Sequence, residues 1–134
     1  MSRLVTVKRP VTEDDHQALV IKWAKSAEGK WPCLRWLYHI PNERKCTAVE
    51  GARLKRIGVK AGVSDLFLPY PCGGYHGLYV EMKTPDGRAS DNQVEFIKAM
   101  EWYGYAAFIC KGYDEAIRVI KDYLGGDDGG CGTD

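Results

Sequence analysis

The tightest constraint in this sequence is a pair of short apolar runs separated by a break rich in proline and glycine. Asp65-Leu66-Phe67-Leu68 stops at Pro69, and Gly77-Leu78-Tyr79-Val80-Glu81-Met82-Lys83 follows after Pro71, Gly73 and Gly74. Short runs of branched and aromatic residues bounded by such breakers are strands, and a connection of this composition turns the chain back as a hairpin. Alternate side chains of a strand share a face, so Glu81 and Lys83 project the same way. Pairing the two strands then brings Asp65 and Glu81, each at the end of an apolar run, together with one ammonium group.

The flanking elements follow from caps and periodicity. Thr12 and Asp15 form a capping box that opens a helix carrying Leu19, Val20, Trp23, Ala24 and Ala27 at helical spacing, ended by Gly29 and Pro32. Leu34 to Ile40 is expected to be a strand stopped by Pro41, with a polar loop from Asn42 to Thr47. Ala48 to Ile57 predicts a short basic helix closed by Gly58. Ser90 and Gln93 make a second capping box, opening a helix through Tyr103. Tyr105 to Cys110 is a buried-type strand, and Asp114 to Leu124 an amphipathic helix. The order α-β-α-β-β-α-β-α gives an α/β fold, a small mixed sheet flanked by helices. The domain is expected over residues 12–124, preceded by an arm at 1–11 and followed by a flexible Gly/Asp tail at 125–134. Trp23, Trp36 and Trp102 are assigned to the core, Trp31 to an exposed turn, and His16 to the helix surface.

Composition narrows the class. The chain has 134 residues, 45% of them apolar and 28% charged, which excludes a disordered or fibrous protein. No apolar run approaches a membrane span and no signal-peptide core is visible, so a cytoplasmic protein is expected. The five cysteines are scattered without a CxxC pair, as expected in a reducing compartment. Cys72 and His76 lack the second ligand pair that a structural zinc site needs. The net charge of +1 conceals an asymmetry of +7 over residues 1–60 and −6 over residues 61–134. Such a division suits a polyanion on one side and a cation held by carboxylates on the other, although two solvated surfaces would look the same.

Two hard oxygen donors, with a backbone carbonyl and water, suit Mg²⁺ or Mn²⁺. A cation so placed can engage a phosphodiester and activate water, and a lysine can orient that water or neutralise developing charge. Taken as bare spacing, the pattern also fits an edge strand that alternates charge to stay soluble. There is no GxSxG elbow, no P-loop and no GxGxxG, which leaves acyl transfer by serine, nucleotide hydrolysis and dinucleotide redox chemistry without support.

These segments together resemble the VRR-NUC family of the PD-(D/E)xK nuclease superfamily. The residues that carry the resemblance are Gly58-Val59-Lys60-Ala61-Gly62-Val63-Ser64-Asp65-Leu66, Tyr79-Val80-Glu81-Met82-Lys83-Thr84, Ser90 to Gln93 and Tyr103-Gly104-Tyr105, in that order. Glu13 followed by Gln17 fits the family's first helix. The resemblance implies a restriction-endonuclease-like core, with Asp65 and Glu81 as metal ligands helped by the Met82 carbonyl. It also implies Lys83 as catalytic lysine, Glu13 as a further ligand or water-holding acid, and Gln93 as an active-site polar group. Glu13 as a first-turn acid and Gln93 as a capping residue are the plainer alternatives. The family often has proline where Ser64 stands.

The expected function is a Mg²⁺- or Mn²⁺-dependent DNA endonuclease acting on branched or Holliday-junction DNA in bacterial or phage replication and repair. Arg44, Lys45, Arg53, Lys55, Arg56 and Lys60 are candidate phosphate contacts. Junction symmetry, and the likeness of stand-alone members to dimeric resolvases, point to a homodimer, with Trp31, Tyr70, Tyr75 and Tyr79 as interface material. The alternative is a nucleic-acid-binding module that keeps the nuclease fold without the chemistry.

Overall fold

The structure, a computed structural model, describes residues 12–41 and 46–126. The terminal segments read as arm and tail, and with them Asn42, Arg44 and Lys45, lie outside the described residues, apart from Gly125 and Gly126. Helix α1 (Glu13–Ser26) starts where the Thr12 hydroxyl accepts the Asp15 N–H and the Asp15 carboxylate accepts the Thr12 N–H. Strand β1 (Tyr38–His39) and helix α2 (Ala48–Arg56) follow, then strands β2 (Leu66–Leu68) and β3 (Leu78–Lys83). Helix α3 (Asp91–Trp102), strand β4 (Ala106–Lys111) and helix α4 (Tyr113–Tyr123) complete the order. The sheet runs β1-β2-β3-β4, antiparallel through β3 and parallel between β3 and β4. It is the mixed sheet expected from the sequence.

Strand alternation divides the sheet into two faces. Leu78, Val80 and Met82 of β3 join Leu66, Leu68, Ala106 and Cys110 in a core that α1 closes with Val20 and Ala24 and α4 with Ala116, Ile120 and Leu124. Tyr79, Glu81 and Lys83 alternate to the other face, where Phe96 of α3 meets Tyr79 edge-on at 5.1 Å. Gly62, at φ +87°, sets the approach of α3: a Cβ there would lie 2.5 Å from the Asn92 carbonyl oxygen. The turn before Ser64 therefore docks against the first turn of α3 without a side chain between them.

Several expectations fail, each for a physical reason. The strand predicted over Leu34–Ile40 is a 3₁₀ turn, Pro32–Trp36, followed by two residues of strand. Pro32 presets the helical φ, and only Tyr38 and His39 pair in register with β2. Trp31 is buried at 6% exposure, packing against Trp23 with ring centroids 6.1 Å apart. Trp36 and Trp102 are exposed instead, Trp102 at 86%. Trp36 lies under the Arg35 guanidinium and Trp102 ends a helix whose buried residue is Ile97. His16 is buried as well. Its Nδ1 accepts the Tyr113 N–H at 3.1 Å, supplying the cap that the N-cap Gly112 cannot. Cys110 is the core residue expected, and burial pushes its thiol up to about 12. Among the described residues no helix is long and apolar enough to cross a membrane.

Candidate active site

Asp65 stands just before β2 and Glu81 near the end of β3, and each is about 1% exposed. The antiparallel register sets Leu66 opposite Val80, which brings the two acids together as the hairpin reading requires. Asp65 Oδ2 accepts the Met82 N–H at 2.7 Å, so the acid is tied to the backbone of the neighbouring strand. Glu81 Oε2 accepts from Gln93 Nε2 at 3.0 Å. Gln93 also keeps its capping role, since its Oε1 accepts the Ser90 N–H at 2.8 Å. One side chain thus starts α3 and orients a carboxylate.

Lys83 Nζ lies 3.6 Å from Glu81 Oε2 and 3.7 Å from Glu13 Oε2. Glu13 therefore reaches the cluster through Lys83, from the first turn of α1. Burial, then the nearby Asp65 charge, pushes the Glu81 carboxyl up to about 8, against the partial opposition of Lys83. Glu81 Oε1 is buried and receives no hydrogen bond. Two carboxyl groups side by side out of water form a costly arrangement when both are ionised, relieved by a proton in the metal-free protein or by a bound cation. The donors are hard oxygens, the chemistry that Mg²⁺ and Mn²⁺ prefer, so the residues fit such an ion. Among the described residues no three His, Cys, Asp or Glu side chains are gathered closely enough to hold an ion alone. The Met82 main-chain carbonyl and water would have to complete the set.

His39 joins the site from β1, and sequence spacing carries no signal for it. Its Nδ1 lies 2.8 Å from the Asp65 main-chain oxygen, which also accepts the Ile40 N–H at 2.7 Å. A carbonyl only accepts, so Nδ1 carries the proton. Ser64 is buried with its hydroxyl unpartnered. Arg53, Lys55, Arg56 and Lys60 are all exposed. The three on α2 crowd its last turn, where the helix dipole also favours cations. Helix α2 buries none of its residues and leads through the 58–62 turn to Ser64 and Asp65.

A mixed sheet with paired carboxylates and a lysine at the β2–β3 hairpin is an α/β nuclease-like fold. Residues 11–114 match the VRR-NUC domain, and the chain belongs to that family. Among solved structures it is similar to one described as a VRR_NUC domain protein, 35% identical, with a TM-score of 0.74. The match covers 87% of this chain and 91% of that one. No curated protein matches the sequence. The family is of the nuclease type, which makes nucleic acid the expected substrate.

Proposed function

We propose that the protein is a Mg²⁺- or Mn²⁺-dependent endonuclease that hydrolyses DNA phosphodiesters. The observation that carries this reading is the buried Asp65–Glu81 pair with Lys83 alongside and one carboxylate oxygen unpartnered. Asp65, Glu81 and the Met82 carbonyl would hold the ion, with Glu13 as a possible further ligand. Such an ion supplies Lewis acidity at the phosphate and lowers the pKa of water. The chain's own groups do the rest. Gln93 and the Met82 N–H fix the two carboxylates by one oxygen each, so the acids need not reorganise when substrate arrives. Lys83, held between Glu13 and Glu81, places a positive charge where the attacking water and the phosphorane would lie. Arg53, Lys55, Arg56 and Lys60, with Arg44 and Lys45, are proposed to meet phosphates. Replacing Arg53, Lys55 and Arg56 together by alanine should lower the salt dependence of DNA binding by about one unit of slope per lost contact.

Branched DNA, four-way junctions included, is the proposed substrate, met in replication and repair in the cytoplasm of a bacterial or phage-infected cell. Paired cuts on a two-fold junction call for two active sites, and a homodimer supplies them most simply. Of the aromatics considered for its interface, Trp31 is committed to the core and Tyr79 to the ring cluster of the sheet. Tyr75 is half-exposed beside a groove of about 250 Å³ that Phe108, Val119 and Tyr123 also line. That groove adjoins β4, one of the two edge strands of the sheet among the described residues, and an unpaired edge is a natural site for self-association.

The test is cleavage with Mn²⁺ of single-stranded, duplex, flap and four-way-junction DNA, beside Asp65→Asn and Glu81→Gln. Metal-dependent cutting that either substitution abolishes, with DNA binding retained, supports the reading. Wild-type cutting by a folded Asp65→Asn protein, or binding without any cutting, overturns it.

A further inference from the structure

The carboxylates occupy only one end of their sheet face, and the rest of that face is aromatic. Tyr38 of β1 lies opposite Phe67 of β2, which lies opposite Tyr79 of β3. Their rings form a continuous series: Tyr38 meets Phe67 edge-on at 6.0 Å, Phe67 meets Tyr79 at 4.4 Å, and Tyr79 meets Tyr105 at 5.4 Å. Phe67 follows Asp65 by two residues and Tyr79 precedes Glu81 by two, so the series is one pleat from the site.

Helix α3 covers this face only over β3 and β4, through Phe96 on Tyr79. At the β1 end Tyr38 remains 50% exposed. From β1 to β3 is two strand spacings, about 10 Å. A nucleic-acid strand that runs from a phosphate at Asp65 and Glu81 toward β1 would carry a neighbouring nucleotide across the aromatic half of the sheet.

Resting on the nuclease reading above, we propose that Tyr38, backed by Phe67, is a stacking platform for one unpaired nucleobase of the bound strand, and that it directs the enzyme to DNA with unpaired bases beside the cut. Aromatic rings accept any base, because every base has a π-face. A paired base is already stacked on its neighbours and gains nothing there. A second copy of this chain is the rival occupant, and the mass of the Tyr38 variant in solution tells the two apart.

The experiment measures equilibrium binding of metal-free protein in EDTA to a single strand and to a duplex of equal length. Tyr38→Ala should weaken single-strand binding roughly tenfold, given about 1–3 kcal/mol per stacked base, and leave the duplex unchanged, while Tyr38→Trp retains affinity. Placing one abasic site in the single strand should cost the wild type a similar factor at one position and cost Tyr38→Ala nothing more there. Equal loss on both DNAs, no loss on either, or a halved mass in solution for Tyr38→Ala overturns the platform; the last would identify the face as a contact between copies. Mn²⁺-dependent cutting of flap and four-way-junction DNA by the wild type is scored separately. Its absence would sink the nuclease reading while the stacking result stood, and its presence with a failed Tyr38 result would sink only the platform.

Discussion

Strand β3 serves two masters on its two faces. Toward α1 and α4 it presents Leu78, Val80 and Met82, all fully buried among aliphatic neighbours. Toward α3 it presents Tyr79, Glu81 and Lys83, a ring and two charges. The first face gains free energy from every atom it removes from water. The second keeps an ionisable pair where ionisation is unfavourable. One six-residue strand thus holds the fold together with its even positions and loads the site with its odd ones.

Four substitutions bear on that division, in order of decreasing effect. Lys83→Met on the charged face should reduce cleavage by about two to three orders of magnitude, as loss of one preorganised charge-stabilising group does elsewhere, with Mn²⁺ binding retained in a titration. Leu78→Ala on the aliphatic face should cost about 2–5 kcal/mol in denaturant unfolding; a smaller cost would mean that this face is not the anchor.

Glu81→Gln should do the opposite and raise the thermal midpoint of the metal-free protein by several degrees at neutral pH. Its carboxyl is pushed from 4.5 to about 8 in the fold, so between those values the unfolded chain releases a proton that the native chain retains. Glu81 therefore makes wild-type stability fall as pH rises through that window, with no loss below it. The glutamine variant should lose that part of the slope, and unfolding midpoints at pH 5 and pH 8 would reveal it. Ser64→Ala, which removes an unpartnered buried hydroxyl beside the site, should stabilise by about 1 kcal/mol or less; a clear destabilisation would show that the hydroxyl has a partner in solution.

Much of this arrangement was legible in the sequence because its signals are local. Both capping boxes, the proline- and glycine-rich break of the hairpin and the i, i+2 spacing of Glu81 and Lys83 lie within a few residues of what they determine. The tryptophans were not legible in that way. Trp31 and Trp36 differ in fate because Trp23 covers one while the other lies at the end of a 3₁₀ turn, and neither neighbourhood is written in the flanking residues. The same holds for His39, whose partner is a main-chain oxygen on another strand, and for His16, whose partner lies 97 residues away. Spacing reveals which side chains share an element, whereas the company a side chain keeps across elements depends on how those elements pack.

The His16–Tyr113 hydrogen bond has a consequence for how the molecule is made. Helix α1 leaves the ribosome ahead of α4: the N–H that its imidazole receives lies 97 residues further on, with the α4 side chains that close over Val20 and Ala24. Synthesis at roughly 5–20 residues per second separates the two by several seconds. During that interval the apolar stripe of α1 has only the part of its native cover that comes from the sheet and the 3₁₀ turn, and the nascent chain must wait for α4 before α1 can settle fully.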